Sequence, residues 1–371
     1  MTDIFAARRA RLGELLRKAG LKAAAFVPGP NFYYLSGLQF HLMERPTLLM
    51  VDDAGEVCGI VPELEREKWR ETFPQASTWF WQDSDGYDDA FAESAAELGS
   101  IRIGVEGQRM RVFESEALRR HFGQGSVAMA DTDLIDLRLA KTAEEVAIIE
   151  KAIRISETAL SETLAEVRSG MSEAEIQGLL KMRMLANGAD GFAFDPLVLA
   201  GGNAANPHGV PGERPLAAGE PLLIDFGAHL GGYNADITRT FFCEHASDQH
   251  ARIYETVLAA NTKGRAVACP DLTAHDLDET VTGVLAASPF ADLIVHKTGH
   301  GLGLDVHEAP QVMIGNHVPL VAGTILTIEP GLYRPGEIGV RIEDDVLIEP
   351  DGCRSLTSFP RELSIVGGQP A

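Results

Sequence analysis

Residues 221–242 read PLLIDFGAHLGGYNADITRTFF, two apolar strand-like segments folded about the turn-suited sequence His229-Leu230-Gly231-Gly232. If Leu230 and Gly231 form the two-residue loop of a hairpin, pairing outward from them sets Asp225 opposite Asp236. Two carboxylates facing each other across a ladder destabilise it unless something neutralises them, and a divalent cation does so directly. The segment therefore reads as a cradle for a metal ion.

A second stretch has the same form. TILTIEPGLY (324–333) and IGVRIEDDVLI (338–348) flank RPGE, and a loop centred on Gly336 sets Glu329 opposite Glu343. Arg341 stands two residues from Glu343 and so projects from the same face, where it orients or neutralises a carboxylate. Asp344 and Asp345 read as solvated strand ends. Between the two hairpins lies HKTGHGLGLDVHE (296–308), which packs three histidines, an aspartate and a glutamate into thirteen residues. His300 and the carboxylates of Asp225, Asp236, Glu329 and Glu343 all belong to apolar surroundings where an unpaired charge is costly. Together they form a hard, oxygen-rich donor set suited to Mn²⁺, Co²⁺, Fe²⁺ or Zn²⁺. Five side chains, some of them bridging, suit two ions, and the reaction class that follows is metal-assisted hydrolysis.

Working outward, the region from about residue 193 is strands and turns interrupted by helical stretches near 250–266 and 273–287, an α+β pattern rather than a doubly wound one. The two carboxylate-bearing hairpins suggest an approximate internal duplication. Ahead of them, residues 134–170 change to helical spacing, with Val146, Ile149, Ile153 and Leu160 on one face. Thr142 with Glu145 and Ser172 with Glu175 match the capping box, and Asn187-Gly188 ends the second helix. Residues 1–137 alternate helical and strand patterns: a helix to Ala19, the runs AAAFV, TLLMV and IRIGV, and a helix near Glu114–His121. Two domains are expected, 1–137 and 138–371.

The chain has 371 residues, 45% of them hydrophobic, and a formal charge of -22. That balance argues against phosphate-backbone binding, which needs clustered Lys and Arg, so no nucleic-acid partner is expected. No apolar stretch approaches the roughly 18 residues that span a bilayer, and the amino terminus reads as an amphipathic helix, so neither membrane nor export is expected. Cys58, Cys243, Cys269 and Cys353 are scattered without a CxxC pair, which gives neither a disulfide framework nor a zinc knuckle and fits the cytoplasm.

The ordered set NPHG (206–209), DFGAHLGGYNADITRT, HKTGHGLGLDVHE, TIEPGLY and GVRIEDD resembles the pita-bread metallopeptidases of the creatinase, aminopeptidase P and prolidase type, above all their proline-specific branch. The resemblance spans roughly residues 140–360, while the first 137 residues are similar to the family's creatinase-type amino-terminal α/β domain mainly through NFYYLSG (31–37). It implies that Asp225 and Asp236 hold one ion, that Asp236 and Glu343 bridge, and that His300 and Glu329 complete the second site. It also implies that Glu329 shuttles a proton from the nucleophilic water to the leaving nitrogen. His208 and His307 would hydrogen-bond the substrate and its oxyanion, and His296 would shape the pocket for proline. Manganese is the leading metal, and a homodimer is expected. His41, His121, His229, His245, His250, His275 and His317 receive no role.

The substrate is then a small peptide with proline at its second position. A dipeptidase must also recognise the free carboxylate just past that proline, for which an arginine fork is suited. Arg334 in the second hairpin's loop and Arg45 in HLMERPTLL of the amino-terminal domain are the candidates, and they favour an Xaa-Pro dipeptidase (prolidase). The alternative is an aminopeptidase P acting on longer peptides. A methionine aminopeptidase, which lacks such an amino-terminal domain and the LGLDVHE context, ranks third. Metal-free creatinase-type amidinohydrolases and binding modules that have lost ligands share the fold, but this chain keeps all five ligand types.

Overall fold

A computed structural model describes residues 4–368, which fall into two compact units that meet between Leu137 and Arg138. The first unit is built on a six-stranded sheet. Its strands are β1 (Ala23–Phe26), β2 (Leu48–Asp52), β3 (Val57–Pro62), β4 (Ser77–Trp81), β5 (Ile103–Val105) and β6 (Val127–Met129), in the order β4-β3-β2-β1-β5-β6. The apolar run AAAFV supplies β1, buried along its whole length, with β2 antiparallel on one side and β5 parallel on the other. Helices Ile4–Ala19 and Val112–Phe122 lie where the sequence periodicity placed them. Met50, Ile60, Trp79, Trp81, Phe91 and Leu118 form the core, whose burial drives this unit's folding.

The second unit opens with helices Ala143–Glu166 and Glu173–Ala186. Both start with reciprocal capping boxes: Thr142 Oγ1 accepts from Glu145 N at 3.3 Å while Glu145 Oε2 accepts from Thr142 N at 2.7 Å, and Ser172 and Glu175 repeat the exchange. Gly188, with φ 96°, turns the chain after the second helix. The strands that follow are β7 (Gly191–Phe192), β8 (Leu197–Ala200), β9 (Pro221–Phe226), β10 (Ala228–Leu230), β11 (Tyr233–Asn234) and β12 (Ile237–Cys243). A second helix pair, Asp248–Val267 and Ala274–Ala286, leads into β13 (Gly299–Gly301), β14 (Glu308–Val312), β15 (Ile325–Ile328), β16 (Gly331–Arg334), β17 (Ile338–Arg341), β18 (Asp344–Glu349), β19 (Gly352–Ser355) and β20 (Ile365–Val366). Two sheets, β20-β12-β9-β8 and β14-β13-β15-β18-β19, carry the carboxylates and the tract histidine. The order of a helix pair followed by a sheet with a carboxylate-bearing hairpin thus occurs twice. Tyr254, Val257, Leu277 and Val281 of the second helix pair pack with Leu326, Ile328, Val340 and Ile342, which anchors the strands that bear Glu329 and Glu343. Among the described residues no helix is long and apolar enough to cross a membrane.

The first hairpin differs from its expected register. Leu230 pairs with Tyr233, so the two-residue loop is Gly231-Gly232, with φ of 57° and 89°, rather than Leu230-Gly231. Only glycine takes two successive positive φ values without strain, which decides the loop position. Asp225 consequently faces Thr238, not Asp236. The second hairpin keeps its expected register: Gly331 pairs with Arg341 and Ile328 with Asp344, and the gap between these ladders leaves Glu329 across from Glu343.

Candidate metal centre

Five strand segments converge. Asp225 is the penultimate residue of β9, Asp236 immediately precedes β12, His300 is the middle residue of β13, Glu329 follows β15 and Glu343 precedes β18. Strand ends release a side chain from the ladder while the sheet still fixes its backbone, so irregular Pro330 and Ala235 neighbours do not loosen the site. Asp225, Asp236 and Glu343 bring ligand oxygens within 4.8 Å of one another, and so do His300, Glu329 and Glu343. Two triads that share Glu343 match two ions with a common ligand. Nε2 of His300 lies 3.4 Å from Glu329 Oε1 and 3.6 Å from Asp236 Oδ2. Its Nδ1 faces the Gly301 carbonyl at 3.1 Å; a carbonyl only accepts, so Nδ1 carries the hydrogen and Nε2 presents its lone pair to the carboxylates.

Hydrogen bonds behind the ligands set their orientation. Thr238 donates to Glu343 Oε2 at 2.6 Å. Arg341 donates to Asp225 Oδ2, to Thr238 Oγ1 at 3.0 Å and to the Tyr333 hydroxyl at 2.8 Å. Among the described residues Asp225 Oδ1 is buried without a hydrogen-bond partner. An orphaned carboxylate oxygen aimed at two other carboxylates fits a cation, since no protein donor satisfies it.

The electrostatics agree. Burial, then repulsion from Glu343 and Asp225, raises the Asp236 carboxyl well above its ordinary range, and burial with repulsion from Glu329 and Asp225 does the same to Glu343. Burial lifts Glu329 to about 7 against the opposing charges of Arg341 and Lys297. Burial and the neighbouring His307 lower His300 to about 3, so it stands neutral and ready to ligate.

Asp344 and Asp345 are not solvated strand ends: both are fully buried. Asp344 receives Arg239 at 2.7 Å and Arg265 at 3.0 Å, and Asp345 Oδ2 accepts from the backbone of Asp236 at 3.1 Å. Sheet packing on both faces buries what alternation alone would expose. Asp305 and Glu308 of the histidine tract bind Arg138 and Lys141 instead of joining the ligand cluster.

The remaining expected residues divide. His307 lies beside His300, tilted by 42° with ring centroids 3.9 Å apart, and its ligand atom lies within 4.8 Å of those of Asp236 and His300. His296 gives Nδ1–H to the Lys297 carbonyl at 2.7 Å, so its Nε2 accepts from the Tyr333 hydroxyl at 2.8 Å. Burial, with the Arg341 charge, lowers it to about 4. His208 is exposed on the loop after Gly201–Ala205. Fully buried Glu173 ties that loop down, accepting from Ala200 N, Asn203 Nδ2 and Gly212 N between 2.7 and 3.1 Å. Arg334 pairs with Glu337 at the tip of the second hairpin. Arg45, in the first unit, pairs with Asp83 and Glu44 there. Sequence reasoning gave no role to Tyr333, Thr238 or Lys297. Tyr333 and Thr238 carry no local signal, because their roles exist only once Arg341 meets them; Lys297 stands inside the histidine tract and was legible as a cation there.

Residues 147–350 match metallopeptidase family M24, and residues 8–140 match the Creatinase/Prolidase N-terminal domain. An Xaa-Pro dipeptidase of Pyrococcus horikoshii is 33% identical over 361 residues, covering 97% of this chain and 99% of that protein. The crystal structure of a Thermococcus sibiricus prolidase superposes with a TM-score of 0.92 at 29% identity, covering 99% of this chain and 100% of that one. An X-Pro aminopeptidase of Thermotoga maritima superposes with a TM-score of 0.85, also at 29% identity, covering 96% and 99%. The fold is therefore the α+β pita-bread architecture, preceded by a creatinase-type domain.

Proposed function

The chain belongs to metallopeptidase family M24 and is a peptidase, and from that premise we propose that it hydrolyses the peptide bond before proline in Xaa-Pro dipeptides. The observation that carries this reading is the convergence of Asp225, Asp236, His300, Glu329 and Glu343 from five strand segments, with Asp225 Oδ1 unpartnered among the described residues. These five side chains would hold two divalent ions. Such ions, when bound, supply an acidified water near neutral pH and Lewis-acid polarisation of the scissile carbonyl.

The chain's own groups do the rest. Glu329 takes the proton released by the attacking water at a carboxylate oxygen and passes it to the proline nitrogen as the bond breaks. His307, whose basicity is lowered by burial and by Lys297, donates an N–H toward the carbonyl oxygen, joined by His208 from its tethered loop. His296, fixed by Tyr333, gives the proline ring a rigid wall. Thr238 and Arg341 keep Glu343 and Asp225 oriented throughout.

The donor set, four carboxylates and one imidazole, favours Mn²⁺ over softer-site metals. Free cysteines throughout fit a cytoplasmic enzyme, and a homodimer is the assembly that the family resemblance implies. Arg45 and Arg334, the arginine candidates for the substrate carboxylate, each already hold acidic partners. The likeness to an X-Pro aminopeptidase supports a second reading, action on longer peptides. Hydrolysis of Ala-Pro compared with Ala-Pro-Ala separates them: higher kcat/KM on Ala-Pro is expected, and a clear preference for the tripeptide overturns the dipeptidase reading.

A further inference from the structure

We propose that Lys297 is the cation that receives the free carboxylate of the dipeptide, a specificity role that rests on the Xaa-Pro reading above. Lys297 sits between the two groups that bracket the proline. Its carbonyl accepts from His296 Nδ1, and the next residue, Thr298, accepts at its carbonyl from Glu329 N at 2.8 Å and donates its own N–H to buried Asp278 at 2.8 Å. The backbone at 297 is thereby locked beside both the proline wall and the proton shuttle.

The side chain points along the ligand strand pair. Its ammonium donates to Gln311 Oε1, and Gln311 is the register partner of His300 across β13 and β14. Among the described residues this partly buried ammonium has an amide oxygen and no carboxylate as its partner, in a chain with 54 acidic and 32 basic residues. A partly buried ammonium held by a neutral amide gains from a ligand that brings a carboxylate to it.

Chemistry places the missing anion. In an Xaa-Pro dipeptide the carboxylate is one carbon from the proline ring, so a ring held by His296 and a nitrogen facing Glu329 bring it to the segment joining them. A lysine on a flexible stem can leave the neutral amide of Gln311 for a carboxylate, exchanging a neutral hydrogen bond for a charge-assisted one. A tripeptide offers a neutral amide at that place, and Lys297 then discriminates against it.

The test compares Ala-Pro with Ala-Pro amide, which has the same size but no charge, on the manganese-loaded wild type and on Lys297→Met, Lys297→Gln and Lys297→Arg. The ratio of kcat/KM for the acid to that for the amide is expected to fall about tenfold or more in the Met and Gln variants, through KM for the acid, and to stay near the wild-type value in the Arg variant. Thermal midpoints close to wild type show that folding is intact, and Gln serves if Met disturbs it. An unchanged ratio in the neutral variants, or equal losses on both substrates through kcat, overturns the assignment. Wild-type enzyme that binds manganese and cleaves neither substrate defeats the Xaa-Pro reading instead.

Discussion

Arg341 grips only one side of Asp225: its guanidinium donates to Oδ2, while Oδ1 of the same carboxylate is buried with no hydrogen-bond partner. One oxygen is oriented by the protein and the other is reserved. The same arginine donates to the Tyr333 hydroxyl, which in turn donates to His296, so a single buried guanidinium aligns a metal-ligand candidate and the histidine proposed to wall the proline pocket.

Arg341→Met removes that shared anchor. Outer hydrogen bonds to metal ligands typically contribute 10- to 100-fold in affinity or activity, so manganese binding should weaken by about that factor. Isothermal titration with Mn²⁺ checks it, and unaltered affinity would show that the bond to Asp225 does not orient the ligand.

Glu329→Gln keeps the shape of the side chain and removes the proton it carries. Turnover of Ala-Pro should fall by roughly 10²- to 10⁴-fold with an unchanged circular dichroism spectrum. Near-normal activity would refute the shuttle role.

Chelation should destabilise the protein in a pH-dependent way. In the metal-free fold Asp236, Glu343 and Glu329 keep their protons to higher pH than in the unfolded chain, chiefly through burial, with Glu329 reaching about 7. At these carboxyls the folded state binds more protons than the unfolded state between the ordinary carboxylate range and about pH 7, so their contribution to metal-free stability falls as pH rises through that window, while His300 and His296, lowered to about 3 and about 4, contribute in the opposite sense below the ordinary imidazole range. Divalent ions need the deprotonated ligands, so their stabilisation grows in the same direction, reaching about 2.7 kcal/mol at a free concentration of 100 times Kd. Melting curves with EDTA or Mn²⁺ from about pH 5 to about pH 8 measure the difference between the two; a Mn²⁺-induced gain in midpoint that shrinks as pH rises contradicts the account.

Gly227→Ala should be strongly destabilising, because a Cβ there would overlap the backbone carbonyl of Ala235, just before Asp236. Rigid strands on both sides leave the clash little relief, and a loss of about 3 kcal/mol is expected from urea unfolding. A change under about 0.5 kcal/mol would mean that the two segments do not approach as closely as the structure has them.

Much of this site was legible before any coordinates. Turn chemistry and alternation locate both hairpins, and the second pairs Glu329 with Glu343 as expected because no stretch around Gly336 competes for the loop. In the first hairpin three consecutive turn-suited residues compete, and the positive φ at both Gly231 and Gly232 moves the register by two positions. A two-residue shift preserves the face of each side chain, so Asp225 and Asp236 still converge with Glu343 although they do not pair. Asp344 and Asp345 were misjudged for the opposite reason: period-two alternation assumes one wet face, and β18 is buried on both.

What the sequence determined by itself is the donor inventory, the order of elements and the family, since motif identity and hydrophobic period are local properties of the chain. The tertiary structure alone decided which oxygens face which: that Asp225 answers to Arg341 rather than to Asp236 across a ladder, that Tyr333 connects Arg341 with His296, and that Lys297 stands near the catalytic groups without a carboxylate of its own. Those relations join residues up to 116 positions apart, and only the packing of two sheets, which buries charge and so makes each unpaired atom costly, selects them.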